Sequence, residues 1–474
     1  MLAAAFLIGI SLPTAIGWLI VRTMEGGTPV LFRTERWALG FVLGTTATMF
    51  LAFVLNVTFG VPFTRWGFLL PQIIILAGLA LFQWKYLPSA SRLPLPAPQL
   101  TLPHFSLLIK SLIAILSIWF LLKLAAGAVL LTATPVYQDD VFNNWNMRGK
   151  LFFVHQELVL DIPLGNETTA AEGVSSYPPA LPLMKTFLAT VAGRWDDGLV
   201  NSIHILWYLA TLVLVFSLLR RLLGAGWALV GTYILASLPL FLMHGIVPYA
   251  DAFVAVHVLA AVGYLFTMLQ LHQTNARALP FLRFSALATG LLLFTKNETL
   301  LLHLPPLLLV LACAIGYLRW RGTMSAKDVL CALAWYAGCI AVIAIPWLLF
   351  KWSHGLPFGN AKPIGGLMLA WQENVLLSIA INTFLEGNWL FLFPLLFCLL
   401  AVRRRRALAS PLLVCTAFFL MVYAGQIALF LFTGLSTEVL RQTGYARGLL
   451  QIVPLAVVIA TALLADTVDA IKKD

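Results

Sequence analysis

Two carboxylates stand side by side, Asp139 and Asp140, in the stretch Tyr137-Gln138-Asp139-Asp140-Val141-Phe142-Asn143-Asn144-Trp145, just past a long apolar run. A carboxylate within hydrogen-bond reach of a hydroxyl can take its proton as that oxygen attacks, so the pair is a candidate for general-base work. Either carboxylate could serve as that base, with its neighbour orienting the group that loses the proton. Further ionisable groups recur in apolar surroundings: Asp251 in Tyr249-Ala250-Asp251, Lys296 and Glu298 in Thr295-Lys296-Asn297-Glu298, and Arg447 in Tyr445-Ala446-Arg447-Gly448. A cation beside an atom that gathers negative charge stabilises that state. Lys296 and Arg447 are therefore candidates to hold an anionic leaving group, with Glu298 fixing Lys296 or meeting a substrate hydroxyl.

Such charges are costly in this chain, which has 474 residues, 61% of them hydrophobic and only 10% charged. With a mean hydropathy of +0.93, the composition lies outside the range of soluble domains and defines an all-α polytopic membrane protein. Runs long enough to cross ~30 Å of hydrocarbon number about 13. They fall near 2–21, 37–59, 67–84, 107–131, 198–219, 225–243, 250–271, 281–295, 299–318, 329–350, 387–402, 409–433 and 447–466.

Loop charge orients them. Basic clusters at Arg22/Arg33/Arg36, Lys85/Arg92/Lys110, Arg220/Arg221, Arg277/Arg283, Arg319/Arg321/Lys327, Arg403 to Arg406 and Lys472/Lys473 all fall on one face. Lys and Arg accumulate on the cytoplasmic side, so the N-terminus is expected outside, the C-terminus inside and the acidic pair on the outer face. The net charge of +11 is thus topology and not nucleic-acid binding. No basic segment precedes the first apolar run, which reads as a retained span and not a signal peptide. The five cysteines have no metal-ligand spacing and read as small core residues.

The outer loop 132–196 is too long for a mere connection and is the leading site candidate. In it Phe142, Trp145, Gly149, Phe152 and Phe153 repeat at helical spacing opposite Asn143, Asn144, Asn146 and Lys150, as in a helix lying in the interface plane. The apolar stretch 180–193 is too short to span and is expected to stay outside. A second outer segment, 351–386, carries Trp352, His354, Trp371 and Glu373; a third runs from Ser436 to Arg447. The Pro-rich linker Pro88 to Pro103 separates an N-terminal module, 1–106, from a catalytic module, 107–474. One span pair is anomalous: between Arg283 and Arg319 the first arm gives roughly 20 Å of helix before Lys296 and Glu298. Their apex therefore sits below the outer interface, where an ionisable pair needs partners or a polar cavity.

Each residue also has a structural reading. Asp139, Asp140 and Asp251 are each suited to capping a following helix. Tyr177-Pro178-Pro179 suits a helix start. Lys296 with Glu298 suits an ion pair, and Tyr445 with Arg447 an interfacial anchor. His155 and His257 read as structural, and Trp145, Trp195, Trp352 and Trp371 as belt residues.

Taken in order, Asp139-Asp140, the aromatic helix Trp145 to Phe153, Tyr177-Pro178-Pro179-Ala180-Leu181-Pro182, Tyr249-Ala250-Asp251, Thr295-Lys296-Asn297-Glu298 and Tyr445-Ala446-Arg447-Gly448 before Pro454 resemble the GT-C superfamily. The resemblance is to its polyprenyl-phosphate-sugar-dependent glycosyltransferases, particularly bacterial members similar to protein O-mannosyltransferases and aminoarabinose transferases, and covers roughly 107–466. It implies a GT-C-type helix bundle in a bacterial inner membrane that moves one sugar, with inversion, from a polyprenyl phosphate to a glycan, lipid or protein acceptor on the outer face. It further implies Asp139 as base with Asp140 beside it, and Lys296, Glu298, Arg447, Tyr445 and Asp251 on the donor phosphate and sugar. Tyr177, Trp145 and Asn144 would position the acceptor or the loop. The acidic pair departs from the pattern: many relatives carry Asp-Glu after the first span, whereas here it is Asp-Asp after the fourth. No resident cofactor is implied; a divalent metal bridging carboxylates and phosphate is the minority reading. The rival functions are a ligase or polymerase acting on a polyprenyl-linked glycan, and a non-enzymatic lipid or sugar transporter, which paired broken helices in both halves would favour.

Overall fold

The computed structural model describes residues 2–26, 29–87, 106–160, 174–272, 278–357 and 372–472. The linker Pro88 to Pro103 with Arg92, and Arg277, Trp371 and Lys473, lie outside them. In hydrocarbon a backbone must satisfy its own polar groups, and the chain does so with helices. They are α1 Leu2–Glu25, α2 Arg33–Phe59, α3 Arg65–Tyr86 and α4 Leu107–Ala133. The short α5 Asn146–His155 and α6 Ala180–Ala192 follow. Then come α7 Asp197–Leu223, α8 Ala225–Ser237, α9 Pro239–Ile246, α10 Asp251–His272, α11 Leu279–Leu292 and α12 Thr299–Trp320. The last six are α13 Ala326–Ser353, α14 Val375–Trp389, α15 Leu392–Val402, α16 Leu413–Phe432, α17 Gly444–Leu450 and α18 Val453–Ile471.

Among the described residues ten helices are long and apolar enough to cross a membrane, and two bent pairs raise the number to twelve. The 14-residue α11 is the short arm anticipated before Lys296. The bends are a correction, because the sequence reading finds only one interrupted pair. α8 and α9 meet at 71°, where Pro239 opens the second helix; α14 and α15 meet at 114°. At the second bend Leu390 has φ 50°, a left-handed conformation that nothing about a leucine announces. The two bends touch, α9 packing against Gly387–Trp389.

α10 is the axis of the bundle. Every residue from Asp251 to Leu269 is buried, against α7, α11, α16 and α18. His257 has the structural role expected of it: its Nδ1 donates to the Phe253 carbonyl at 2.8 Å, and its Nε2 lies 2.9 Å from Thr46 Oγ1 of α2. The N-terminal helices are likewise part of the core, α1 and α2 packing on α6, α7 and α11. α1 and α2 approach so closely that a Cβ on Gly44 would lie 2.1 Å from the Pro13 carbonyl oxygen. Small residues of this kind let transmembrane helices meet backbone to backbone. By contrast α4 has almost no buried surface; only Gly127 and Leu131 are buried. Of the cysteines, Cys415 alone is buried, and Cys313, Cys331 and Cys398 are exposed on the outside of the bundle. The expectation of core positions fails because apolar side chains of a membrane bundle are as well placed against lipid as inside it.

At the Arg-rich end the helices are clasped by buried ion pairs. Glu35 of α2 accepts from Arg221 Nη1 of α7 at 2.6 Å and from the Tyr264 hydroxyl of α10 at 3.2 Å. Beside it Arg36 Nε pairs with Glu25 Oε2 at 2.9 Å. Removing one partner from a buried pair leaves an uncompensated charge and costs about 3–5 kcal/mol. Glu35→Gln is therefore expected to lower the unfolding midpoint of detergent-purified protein, followed by tryptophan fluorescence, far more than Glu373→Gln on the exposed surface. Equal midpoints would show that the clasp does not hold the bundle.

Candidate functional site

At the opposite end of α10, Asp251 is wholly buried and both of its oxygens are engaged. Oδ1 accepts from Lys296 Nζ at 2.9 Å and from Gln451 Nε2 at 3.2 Å; Oδ2 accepts from Arg447 Nε at 2.9 Å. His244 of α9 adds Nδ1 at 3.5 Å from Oδ2. The other ends of these cations are also occupied. Lys296 Nζ lies 2.7 Å from Glu298 Oε1, and Arg447 Nη1 lies 2.5 Å from Asp140 Oδ2. Gln451 Nε2 closes the circuit to Glu298 Oε1 at 3.1 Å. Above it the Arg447 guanidinium sits 4.7 Å over the Tyr249 ring, which stacks on His244 at 5.1 Å.

Local structure explains why these groups converge. α11 ends at Leu292, so Lys296 and Glu298 lie in the turn between two helices that stops short of the bundle's end. A π-helical turn, Thr299–His303, opens α12 directly after Glu298. Arg447 and Gln451 are four residues apart and share a helical face, and α17 packs on α10. Asp140 precedes a second π-helical turn, Val141–Trp145, and makes no side-chain cap there.

The structure thus brings Asp140, Asp251, Lys296, Glu298 and Arg447 into one network. Asp139 lies beside it, exposed, with Oδ1 accepting from Asn143 Nδ2; among the described residues it forms no ion pair. Tyr177 is close, its ring edge-on to Trp145 at 5.5 Å. Burial, and then the nearby Glu298 carboxylate, pushes the Tyr177 hydroxyl well above its ordinary value, so it stays protonated. Tyr445 stands apart: its hydroxyl is 3.1 Å from Thr383 Oγ1 and its ring packs edge-on to Phe430. Tyr177-Pro178-Pro179 does lead into a helix, with Pro179 as the cap residue of α6.

The helix 142–153 is turned relative to the expectation. Asn144 and Asn146 are buried and Phe142 is 65% exposed. The π-helical turn inserts a residue and rotates the face, which a strict 3.6-residue period misses. Asn146 has a reason to be inside: it donates to Asp197 Oδ1 at 3.0 Å and accepts from the buried Lys185 Nζ at 2.5 Å. Trp145 is 1% exposed and so is no belt residue, whereas Trp352 at 74% is exposed.

Sequence reasoning missed Gln451, His244, Lys351 and Arg148. Gln451 was findable as the residue one turn beyond Arg447, and Lys351 as a lone cation in the last turn of an apolar span. Lys351 Nζ donates to Asn297 Oδ1 at 2.8 Å, one residue from both Lys296 and Glu298. Among the described residues no group of three or more His, Cys, Asp or Glu side chains is gathered to hold a metal.

This bundle is an all-helical polytopic membrane fold, with helices bent in mid-span and a buried charge cluster at one end of its axis. Two crystal structures of ArnT from Cupriavidus metallidurans share it, one in the apo state and one bound to undecaprenyl phosphate. Each superposes on 75% of this chain with a TM-score of 0.50, at 16% and 13% identity respectively. The chain spans 60% of the length of those proteins. No family model and no curated protein matches it.

Because Asp251 is shared by both cations, Asp251→Asn is expected to cost about 3–5 kcal/mol of stability. Glu298→Gln leaves Lys296 paired to Asp251 and keeps an amide oxygen as acceptor, so about 1 kcal/mol is expected. Unfolding midpoints of the two purified variants test the ranking; equal losses would mean that Asp251 is not the hub.

Proposed function

We propose that the chain is a membrane glycosyltransferase that moves one sugar from a polyprenyl-phosphate donor to an acceptor hydroxyl on the outer face. The observation that carries this reading is Asp139, open to an approaching hydroxyl, beside the Asp140–Arg447–Asp251–Lys296–Glu298 network in a GT-C-type bundle. The ArnT structure bound to undecaprenyl phosphate supports the lipid class of the donor.

In this scheme Asp139 takes the proton of the acceptor hydroxyl as its oxygen attacks the anomeric carbon. The bond from that carbon to the phosphate oxygen breaks with its electron pair, leaving polyprenyl phosphate and an inverted glycoside. Asp140, held by Arg447, orients the acceptor. Glu298 and Gln451 line the sugar, and the neutral Tyr177 hydroxyl is available as a donor. Lys296 and Arg447 stand near the breaking bond, but each already faces two carboxylates, so the charge they lend a leaving phosphate is small.

A transporter is the second reading, because the two bent pairs that touch at α9 and α14 are what mid-membrane binding sites in transporters are built from. Transfer of radiolabelled sugar from a panel of polyprenyl-phosphate sugars to cell-envelope acceptors separates the two. Wild type is expected to transfer, and Asp139→Asn to lose about 100- to 10,000-fold in rate with donor binding retained. Unimpaired transfer by Asp139→Asn removes Asp139 as base, and no transfer with any donor favours the transporter.

A further inference from the structure

The buried cations of this end of the bundle fall into two kinds. Lys296 and Arg447 are matched by Asp140, Asp251 and Glu298, three carboxylates to two cations. Arg148, on α5, has no carboxylate at all among the described residues. It is 2% exposed, its Nη2 donates to the Tyr177 carbonyl at 3.0 Å, and its Nε and Nη1 are buried with no acceptor. One turn earlier on the same face, Trp145 Nε1 is also buried without an acceptor. Both residues meet Tyr177, Arg148 through the Tyr177 carbonyl and Trp145 through its ring, so these unsatisfied N–H groups belong to neighbouring residues packed on one tyrosine.

That spot adjoins the carboxylate network. Asn297, between Lys296 and Glu298, reaches Ser176 next to Tyr177, with Nδ2 3.4 Å from Oγ. On its other side Asn297 meets Lys351, which adds positive potential and lies close enough to feel Arg148. Burial pulls the Arg148 guanidinium down to about 9, which still leaves it a cation at neutral pH. A buried guanidinium with two idle donors is held at a loss unless something with several acceptor oxygens and negative charge comes to it. The planar fork of arginine matches phosphate oxygens.

We propose that Arg148, with Trp145 Nε1 beside it, binds the phosphoryl group of the lipid-linked donor, and that Lys296 and Arg447 serve to hold the carboxylates. This rests on the glycosyltransferase reading for the identity of the ligand, but not for the position of the anion. Bound there, the phosphate is next to Tyr177, whose neighbour Ser176 meets Asn297 between Lys296 and Glu298.

The test is binding of undecaprenyl phosphate, uncharged undecaprenol and inorganic phosphate to the full chain in nanodiscs, with wild type, Arg148→Gln and Arg148→Lys. Losing a charge-assisted fork is expected to weaken undecaprenyl phosphate about tenfold to a hundredfold in Arg148→Gln. Undecaprenol should be unaffected and Arg148→Lys intermediate; should the glutamine variant not fold, the lysine variant carries the comparison. Equal affinity for undecaprenyl phosphate with and without the guanidinium would overturn the assignment, as would equal loss of both lipids. Inorganic phosphate that binds as tightly as the lipid would assign the site to a free anion and overturn the lipid ligand. Arg148-dependent binding without any sugar transfer would remove the transferase reading and leave the phosphoryl site standing.

Discussion

A carboxylate with no exposure, set at the end of a helix that is buried along its length, is costly unless both oxygens find partners. Asp251 meets that condition through Lys296 on one side and Arg447 on the other. The rest of the site follows from it. Lys296 can reach Asp251 only because α11 stops early, and Arg447 can reach it only because α17 folds back over α10 before α18 begins. Asp140 and Glu298 are then fixed by the free ends of the same two cations. The position of the acidic loop is thereby tied to the core by one guanidinium.

The same helix joins two ends of the molecule. From Asp251 to Tyr264 is about 20 Å along α10, and Tyr264 is a partner of Glu35 in the ion-pair clasp. α10 therefore carries a buried charge network at each terminus and an apolar middle interrupted by the His257–Thr46 contact. Both networks are paired, but they differ in what surrounds them. The clasp is closed by residues of α1, α2, α7 and α10, whereas the Asp251 network opens toward Asp139 and Tyr177 on loop elements.

The passes and the charged residues of the network were legible because charge is rare in so apolar a chain: Lys296, Glu298 and Asp251 each stand out against hydrocarbon. Pro239 was a visible break signal, but the bend at Leu390 was not, since a left-handed leucine leaves no mark in sequence. The inner face of α5 was misread because its amphipathic pattern is shifted by a π-helical turn, and because Asn146 is inside to serve Lys185. Nothing in the sequence sets Arg148 apart from the other polar residues of that helix. Only packing shows that its guanidinium is enclosed.

α4 is the exception to this dense packing. Its 27 residues bury only Gly127, against Ile246, and Leu131, and the acidic pair hangs six residues beyond its last turn, Ala133. Among the described residues little protein covers its length, and its apolar side chains are suited to face lipid. The acidic pair thus joins the most loosely packed described span on one side to an arginine fixed in the core on the other.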